Sequence, residues 1–505
     1  MATDLTEEEA AQIDEYYSYF QTVKKDIVKP ERVVDHQSRI NLTNLDIFHP
    51  EMRGYVPILF AYRLSDTSDT FYDQFVLGLK QSLAKVLVSF YPAAGGLVKT
   101  GDVHHTSDTL YHFVHGLKQS LAKVLVSIYP AARGLVKTDD VPHPLVIVCD
   151  DRGVPFIEAY KDEPMDDIVK NQEPVTPLSG LEAVRLFSNR KSQEITESGV
   201  PCIVIQITRF KCGGVCIAFN WDHGVADMSS AMVLVKAWAD IASKGETTVI
   251  PQTDRAFLNV IHANETERAA SQTVSSPEDD VAKVEIVPTP DISMKVLHIR
   301  KDKIAMVKQA ALDDGYVVST LDCISAHLWR FVAKHRATST GTDISSFGTI
   351  VEGRQRMSAS GTLLSNYFGN VLVPAFLWNK PTTELVSQPL AYTASLIRKA
   401  IQEINSESYW DLNNKLEEVT SGWSVDENLL IIHSWIRFGI YDLDFGCGTP
   451  LRFQRNILPK LGMHGQCFVL PGNPSEGGFD VLMYLHSGSG LFERLWADPE
   501  FTSLS

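Results

Sequence analysis

Asn220-Trp221-Asp222-His223-Gly224-Val225-Ala226-Asp227-Met228-Ser229-Ser230 joins a strand-forming pattern to a helix-forming one. Upstream, residues 202–207 and 214–219 are short apolar runs that read as buried strands, with a tight turn at 211–213. Downstream, Val233, Leu234, Ala237, Trp238 and Ile241 recur at helical spacing, and Ser229 or Ser230 is the expected cap of that helix. His223 is therefore expected on a loop leaving a strand, beside a helix N-terminus, with Gly224 keeping its approach open. A general base is well placed on a loop framed so rigidly. The other reading open for the same residue is a hydrogen-bonded core histidine.

The His-x-x-x-Asp spacing alone selects nothing, because it occurs three times: His104–Asp108, His223–Asp227 and His298–Asp302. His104 lies in a polar run between two copies of a repeat. His298 alternates with apolar neighbours, which predicts the solvent face of a strand. Context, not spacing, singles out His223.

At 505 residues the chain exceeds the size of a single core, so two domains are expected. A net charge of -16 argues against nucleic acid or an anionic membrane surface as the main partner, although a local Arg/Lys cluster can still receive a small anion. The seven cysteines are scattered, and Cys212 and Cys216 lack a second pair at zinc-like spacing. Reduced thiols and no metal are expected. The first residues are acidic without an apolar core, and no apolar run approaches the length of a span. The reading is of a soluble, cytoplasmic, monomeric protein.

Residues 76–100 return at 114–138 with 22 of 25 positions identical, at an offset of 38. Each copy is an amphipathic helix, with Leu79, Leu83, Val86, Leu87 and Phe90 on one face of the first. Two copies do not make a solenoid, and one is expected to be surplus to the fold. Residues 144–149 and 155–159 read as a hairpin around 150–153. A Ser/Thr/Glu/Pro-rich regime over 243–290 reads as a crossover between domains 1–242 and 291–505, with a return to the first domain expected at about 444–466. Beyond it, a helix is expected after Ser319-Thr320 and a long one over 383–404. Strands and helices alternate in both halves, which favours an α/β class.

In order along the chain come Tyr91-Pro92-Ala93-Ala94-Gly95, His223–Asp227, Asp254-Arg255, Ser325-Ala326-His327-Leu328-Trp329-Arg330, Gly353-Arg354, Tyr367-Phe368-Gly369-Asn370 and Asp444-Phe445-Gly446-Cys447-Gly448. This ordered set resembles the plant acyl-CoA-dependent acyltransferases known as BAHD, from about residue 23 to 501. The resemblance implies two chloramphenicol-acetyltransferase-like domains with a channel between them and His223 at its middle. It implies acyl-CoA as co-substrate with no bound cofactor, and a small-molecule acceptor as the other partner. It makes His223 the base. Asp227, by the same resemblance, orients the loop through an arginine, for which Arg354 is the match. Asp444, with Gly446 and Gly448, belongs to a mainly structural turn that is sometimes given as catalytic. Cys447 departs from the Trp usual there, which bears on stability more than on chemistry.

The hydroxycinnamoyl transferases are the most similar subgroup, judged from Asn44-Leu45-Asp46, Ala237-Trp238-Ala239-Asp240 and Ile432-His433-Ser434-Trp435. Phe60, His433, Ser434 and Trp435 match the pocket lining, with Ser434-Trp435 the expected neighbourhood of the oxyanion. Val56, Ile58 and Phe60 predict one apolar face on an early strand. Residues 416–428 lack the arginine that holds shikimate or quinate in that subgroup. A less polar alcohol or amine is therefore expected as acceptor. Two other readings stay open: a catalytically impaired binding protein of the same fold, and a transferase using a carrier-protein thioester.

Overall fold

The computed structural model describes residues 21–32, 39–42, 46, 55–99, 145–165, 200–255, 292–313, 315–357, 365–405, 427–455 and 464–505. The first half supplies β1 (Gln21–Val28), β2 (Arg39–Asn41), β3 (Tyr55–Arg63), β4 (Gly96–Lys99), β5 (Leu145–Val148), β6 (Val154–Lys161), β7 (Val200–Pro201), β8 (Ile203–Phe210) and β9 (Gly214–Asp222). The second supplies β10 (Ile292–Ile299), β11 (Ile344–Glu352), β12 (Leu372–Pro381), β13 (Leu429–Ser434), β14 (Arg452–Arg455), β15 (Gln466–Pro471) and β16 (Phe479–His486). They form two six-stranded sheets, ordered β1-β6-β8-β9-β3-β14 and β10-β16-β15-β13-β11-β12, and a small sheet β2-β5-β4-β7. The α/β expectation with two sheet-rich domains holds.

Both large sheets are packed by helices whose ends are set by sequence. Helix α1 (Asp69–Ser89) starts where the Ser68 hydroxyl accepts from the Phe71 N–H. It lies against α2 (Met228–Lys244), where the buried Trp238 indole donates to Leu79 O at 3.0 Å and Ser82 Oγ at 3.1 Å. Helix α3 (Thr320–Thr340) opens on a reciprocal Ser319/Asp322 capping box and stops at Gly341, in the left-handed region at φ 73°. No helix among the described residues is long and apolar enough to cross a membrane.

One strand ties the halves together. β14 comes from the second half, yet pairs antiparallel with β3 of the first sheet, setting Arg455 opposite Ile58 and Phe453 opposite Phe60. Its Arg452 reaches Asp480 of β16 at 3.2 Å, and Asp480 in turn meets His298 of β10 at 2.7 Å. His298 is thus mostly buried and paired, not on a solvent face. Alternation correctly placed it opposite its apolar neighbours, but a cross-strand carboxylate and an arginine occupy that side.

Two other expectations fail for identifiable reasons. β5 and β6 are consecutive but do not pair: β5 lies between β2 and β4, whereas β6 lies between β1 and β8. A turn signal fixes a reversal of direction, not a partner. The expected long helix is broken into Thr382–Ser387 and Leu390–Glu403. Pro389 lacks the N–H to bridge them.

The first repeat copy builds most of α1, the turn at Tyr91–Ala94 and β4; the second copy and His104 lie outside the described residues. The copies differ at three positions: Leu77/His115, Phe90/Ile128 and Gly95/Arg133. Phe90 is fully buried, edge-on to Phe368 with centroids 5.4 Å apart. A Cβ on Gly95 would lie 2.5 Å from the carbonyl oxygen of Val148. The slot therefore fits the first copy and rejects the second. Deleting 101–138, which joins Thr100 to Asp139, is expected to preserve melting temperature and activity. Deleting 76–113, which puts Ile128 and Arg133 in the slot, is expected to cost roughly 2–5 kcal/mol of stability. Equal melting of the two variants would contradict this assignment.

Candidate active site

Strand β9 runs apolar and wholly buried to Asp222, and the chain then turns within two residues. The Asp222 carboxylate accepts from Gly224 N–H at 2.8 Å, and the Trp221 indole donates across the turn to Ala226 O at 2.8 Å. His223 sits at this corner. It is surrounded by protein yet keeps part of its surface accessible, as expected of a group lining a cleft. Burial pulls its pKa below the ordinary histidine value, against smaller upward effects from its own main chain and from Asp227. The imidazole is held neutral near pH 7.

Asp227 caps α2, two or three residues before the cap expected from Ser229 or Ser230. Its carboxylate is completely buried and fully engaged. Oδ1 accepts from Ser230 N–H at 2.8 Å and Arg354 Nη2 at 3.0 Å; Oδ2 accepts from Arg354 Nη1 and Val371 N–H, both at 2.9 Å. A carboxylate outcompetes a hydroxyl for the orphan N–H groups of a helix start. The displaced Ser230 Oγ instead donates towards Tyr367 O and Gly369 O. Arg354, equally buried, also donates to Gly369 O at 2.8 Å and to Glu352 at 2.7 Å, and the carboxylates hold its pKa up against burial. Asp227 has no acceptor capacity left for His223.

A second buried cluster, whose role the sequence did not reveal, grips the same loop. Asp46 pairs with Arg255 at 2.9 Å and accepts from Asn370 Nδ2, also at 2.9 Å. Asn370 Nδ2 donates to His223 O at 2.8 Å, and Arg255 Nη2 donates to Val225 O at 2.7 Å. Three residues far apart in sequence thus fix the main chain on both sides of Gly224. All three lie in motifs visible in the sequence, but nothing local assigns them a common task.

Phe60, His433 and Trp435 converge where the two large sheets meet. Phe60 packs on Phe453 at 5.3 Å; Trp435 lies 6.2 Å from Phe453 and 5.6 Å from Phe468; His433 stacks on Phe468 at 4.4 Å and 7°. Ser434 falls between two residues that both meet Phe468, so strand alternation turns it to the opposite face. Burial, helped by Arg455 and His223, pulls His433 down to about 3, so it is neutral. Arg455, which the sequence reading passed over, joins the cluster, its guanidinium 3.6 Å above the Phe468 ring.

Asp444 is occupied elsewhere. Its Oδ1 accepts from the N–H groups of Gly446, Cys447 and Gly448 at 2.7–3.0 Å, closing a turn with both glycines at φ near +90°. Phe445 of this turn packs edge-on to Trp238 of α2 at 4.7 Å. Cys447 is partly buried, and burial pushes its thiol up to about 12. The turn braces α2 through Trp238 and β3 through Tyr62, both in ring contact with Phe445.

A model of the Transferase family matches residues 20–107 and 104–490, so each match contains one repeat copy. The chain is 27% identical over 490 residues to shikimate O-hydroxycinnamoyltransferase of Nicotiana tabacum, covering 94% of this chain and 98% of the relative. It is 28% identical over 360 residues to agmatine coumaroyltransferase-1 of Hordeum vulgare, covering 68% and 77%. Among solved structures it is similar to vinorine synthase (22% identity, TM-score 0.66, covering 96% and 98%). It is also similar to F. graminearum TRI101 complexed with coenzyme A and T-2 mycotoxin (18%, TM-score 0.65, covering 92% and 98%).

Proposed function

The chain belongs to the BAHD family of acyl-CoA-dependent acyltransferases, and from that premise we propose that it moves a hydroxycinnamoyl group from CoA to an alcohol or amine, with His223 as general base. The observation that carries this reading is the division of labour in the loop. Asp227 is spent on Arg354 and the helix start, which leaves a neutral, accessible imidazole free to take a proton.

The step needs no acyl-enzyme, because a thioester is already activated. As the acceptor oxygen or nitrogen bonds to the thioester carbonyl carbon, its proton passes to Nε2 of His223. Collapse of the tetrahedral adduct breaks the carbon–sulfur bond, and the imidazolium returns the proton to the CoA thiolate. The two clusters centred on Asp227 and Asp46 hold the base in place throughout. Domains of 1–242 and 291–505 joined by 243–290 belong to the same reading, with His223 in a channel between them.

The hydroxycinnamoyl assignment draws on the curated relatives, several of which carry that donor in their names. The test is CoA release from p-coumaroyl-CoA supplied with pooled alcohols and amines. Acceptor-dependent release with p-coumaroylated product is expected. Release only with other acyl-CoAs would remove the donor assignment, and none with any acyl-CoA would remove the enzyme.

A further inference from the structure

The face of β3 carrying Val56, Ile58 and Phe60 is apolar, but the strand beside it is not. Arg455 stands opposite Ile58 on β14, in the same row as Phe453, which packs on Phe60. Its guanidinium lies over Phe468 and within 6 Å of the Trp435 and Tyr484 ring centres. A guanidinium has five N–H donors in one plane, and stacking leaves all five to be satisfied. Among the described residues Arg455 makes one long hydrogen bond, to Tyr484 Oη at 3.4 Å, and no ion pair; its Nε is buried without a partner. His433 Nε2, on the ring stacked against the same Phe468, is likewise buried and unpartnered. A guanidinium with a buried, unpartnered Nε and no counter-ion is costly to hold, and a bound anion removes that cost.

On the reading that His223 transfers an acyl group from CoA, we propose that Arg455 is the anchor for a carboxylate on the acceptor. The placement favours the acceptor as its source. Burial is the main cause of the low proton affinity of His223 and His433, and the charge of Arg455 adds to it at both, as a guanidinium near the two rings does. Groups close to the base meet the reacting ends of the acceptor and of the acyl thioester. CoA carries its phosphates at the far end of the pantetheine arm, and a hydroxycinnamoyl group has no charge. The apolar wall of β3 then faces the acceptor's carbon skeleton, and the polar contact comes from β14.

The test measures kcat/KM of the full chain with p-coumaroyl-CoA and matched acceptors: anthranilate against 2-aminobenzamide, and shikimate against its methyl ester. The carboxylate member of at least one pair is expected to be favoured by about 10–100-fold, the effect of one charge-assisted contact. That preference should fall to within about threefold in Arg455→Met and survive in part in Arg455→Lys. Equal use of both members by the unaltered protein overturns the proposal without needing a folded variant. So does a preference that survives Arg455→Met, a rise in KM for p-coumaroyl-CoA alone, which would place a CoA phosphate on Arg455, or better use of succinyl-CoA with the neutral acceptors, which would place an acyl carboxylate there. Transfer to neutral acceptors with any of these results leaves the acyltransferase reading standing; no transfer to any acceptor overturns both.

Discussion

His223→Ala is expected to lower kcat by about 10²–10⁴-fold while leaving the melting temperature nearly unchanged. The loop is held through its main chain, by Asn370 on His223 O and Arg255 on Val225 O. Removing the imidazole removes the base and little packing. His298→Ala should show the opposite pattern. Its ring pairs with Asp480 in the β10–β16–β14 cluster, so melting should fall while turnover per folded molecule stays near normal. Thermal melts and initial rates on the two variants, measured side by side, separate a base from a buried histidine. A His223→Ala variant that melts much lower than the unaltered protein would make that residue structural.

The second large effect is on Arg354. Arg354→Leu leaves the Asp227 carboxylate buried with two of its four donors gone, and strips partners from Tyr367 O and Gly369 O. Breaking a buried pair from one side typically costs about 3–5 kcal/mol, so a marked drop in melting temperature is expected, with lost turnover as the His loop loosens. Arg354→Lys should not rescue it, since an ammonium cannot reproduce a bidentate fork that also reaches two carbonyls. Arg354→Leu combined with Asp227→Leu should cost less than the sum of the single changes, because it leaves no unpaired charge. Additive losses in that double-mutant cycle would show that the two residues do not act as a pair.

The parts of the fold that depend on local pattern were legible in the sequence. Apolar runs marked β8 and β9, helical spacing marked α2, and Ser319-Thr320 marked the start of α3. The errors arise where several local signals are equally good and a distant partner decides. Asp227, Ser229 and Ser230 can each cap a helix, and Arg354, 127 residues away, selects Asp227. β5 and β6 look like a hairpin until β2 and β1 take them into different sheets. The site divides in the same way. His223 could be read from its loop and its motif. The Asp46–Arg255–Asn370 cluster spans up to 324 residues and has no signature beyond the motifs holding its members. Arg455 was passed over because its meaning comes from β14 crossing to β3, and a four-residue strand carries little pattern.

The central claim is that a desolvated, neutral His223 takes the acceptor's proton. It is tested most directly by following kcat/KM for acceptor-dependent CoA release from p-coumaroyl-CoA against pH, in the unaltered protein and in His223→Ala. Because the neutral imidazole is the active form and burial lowers its pKa, activity should be lost as pH falls through a single ionisation below about 6.5, the ordinary histidine value. The residual rate of His223→Ala should lack that limb. An acid limb with the same midpoint in His223→Ala, or a residual rate above about a tenth of the unaltered protein's, would show that another group is the base.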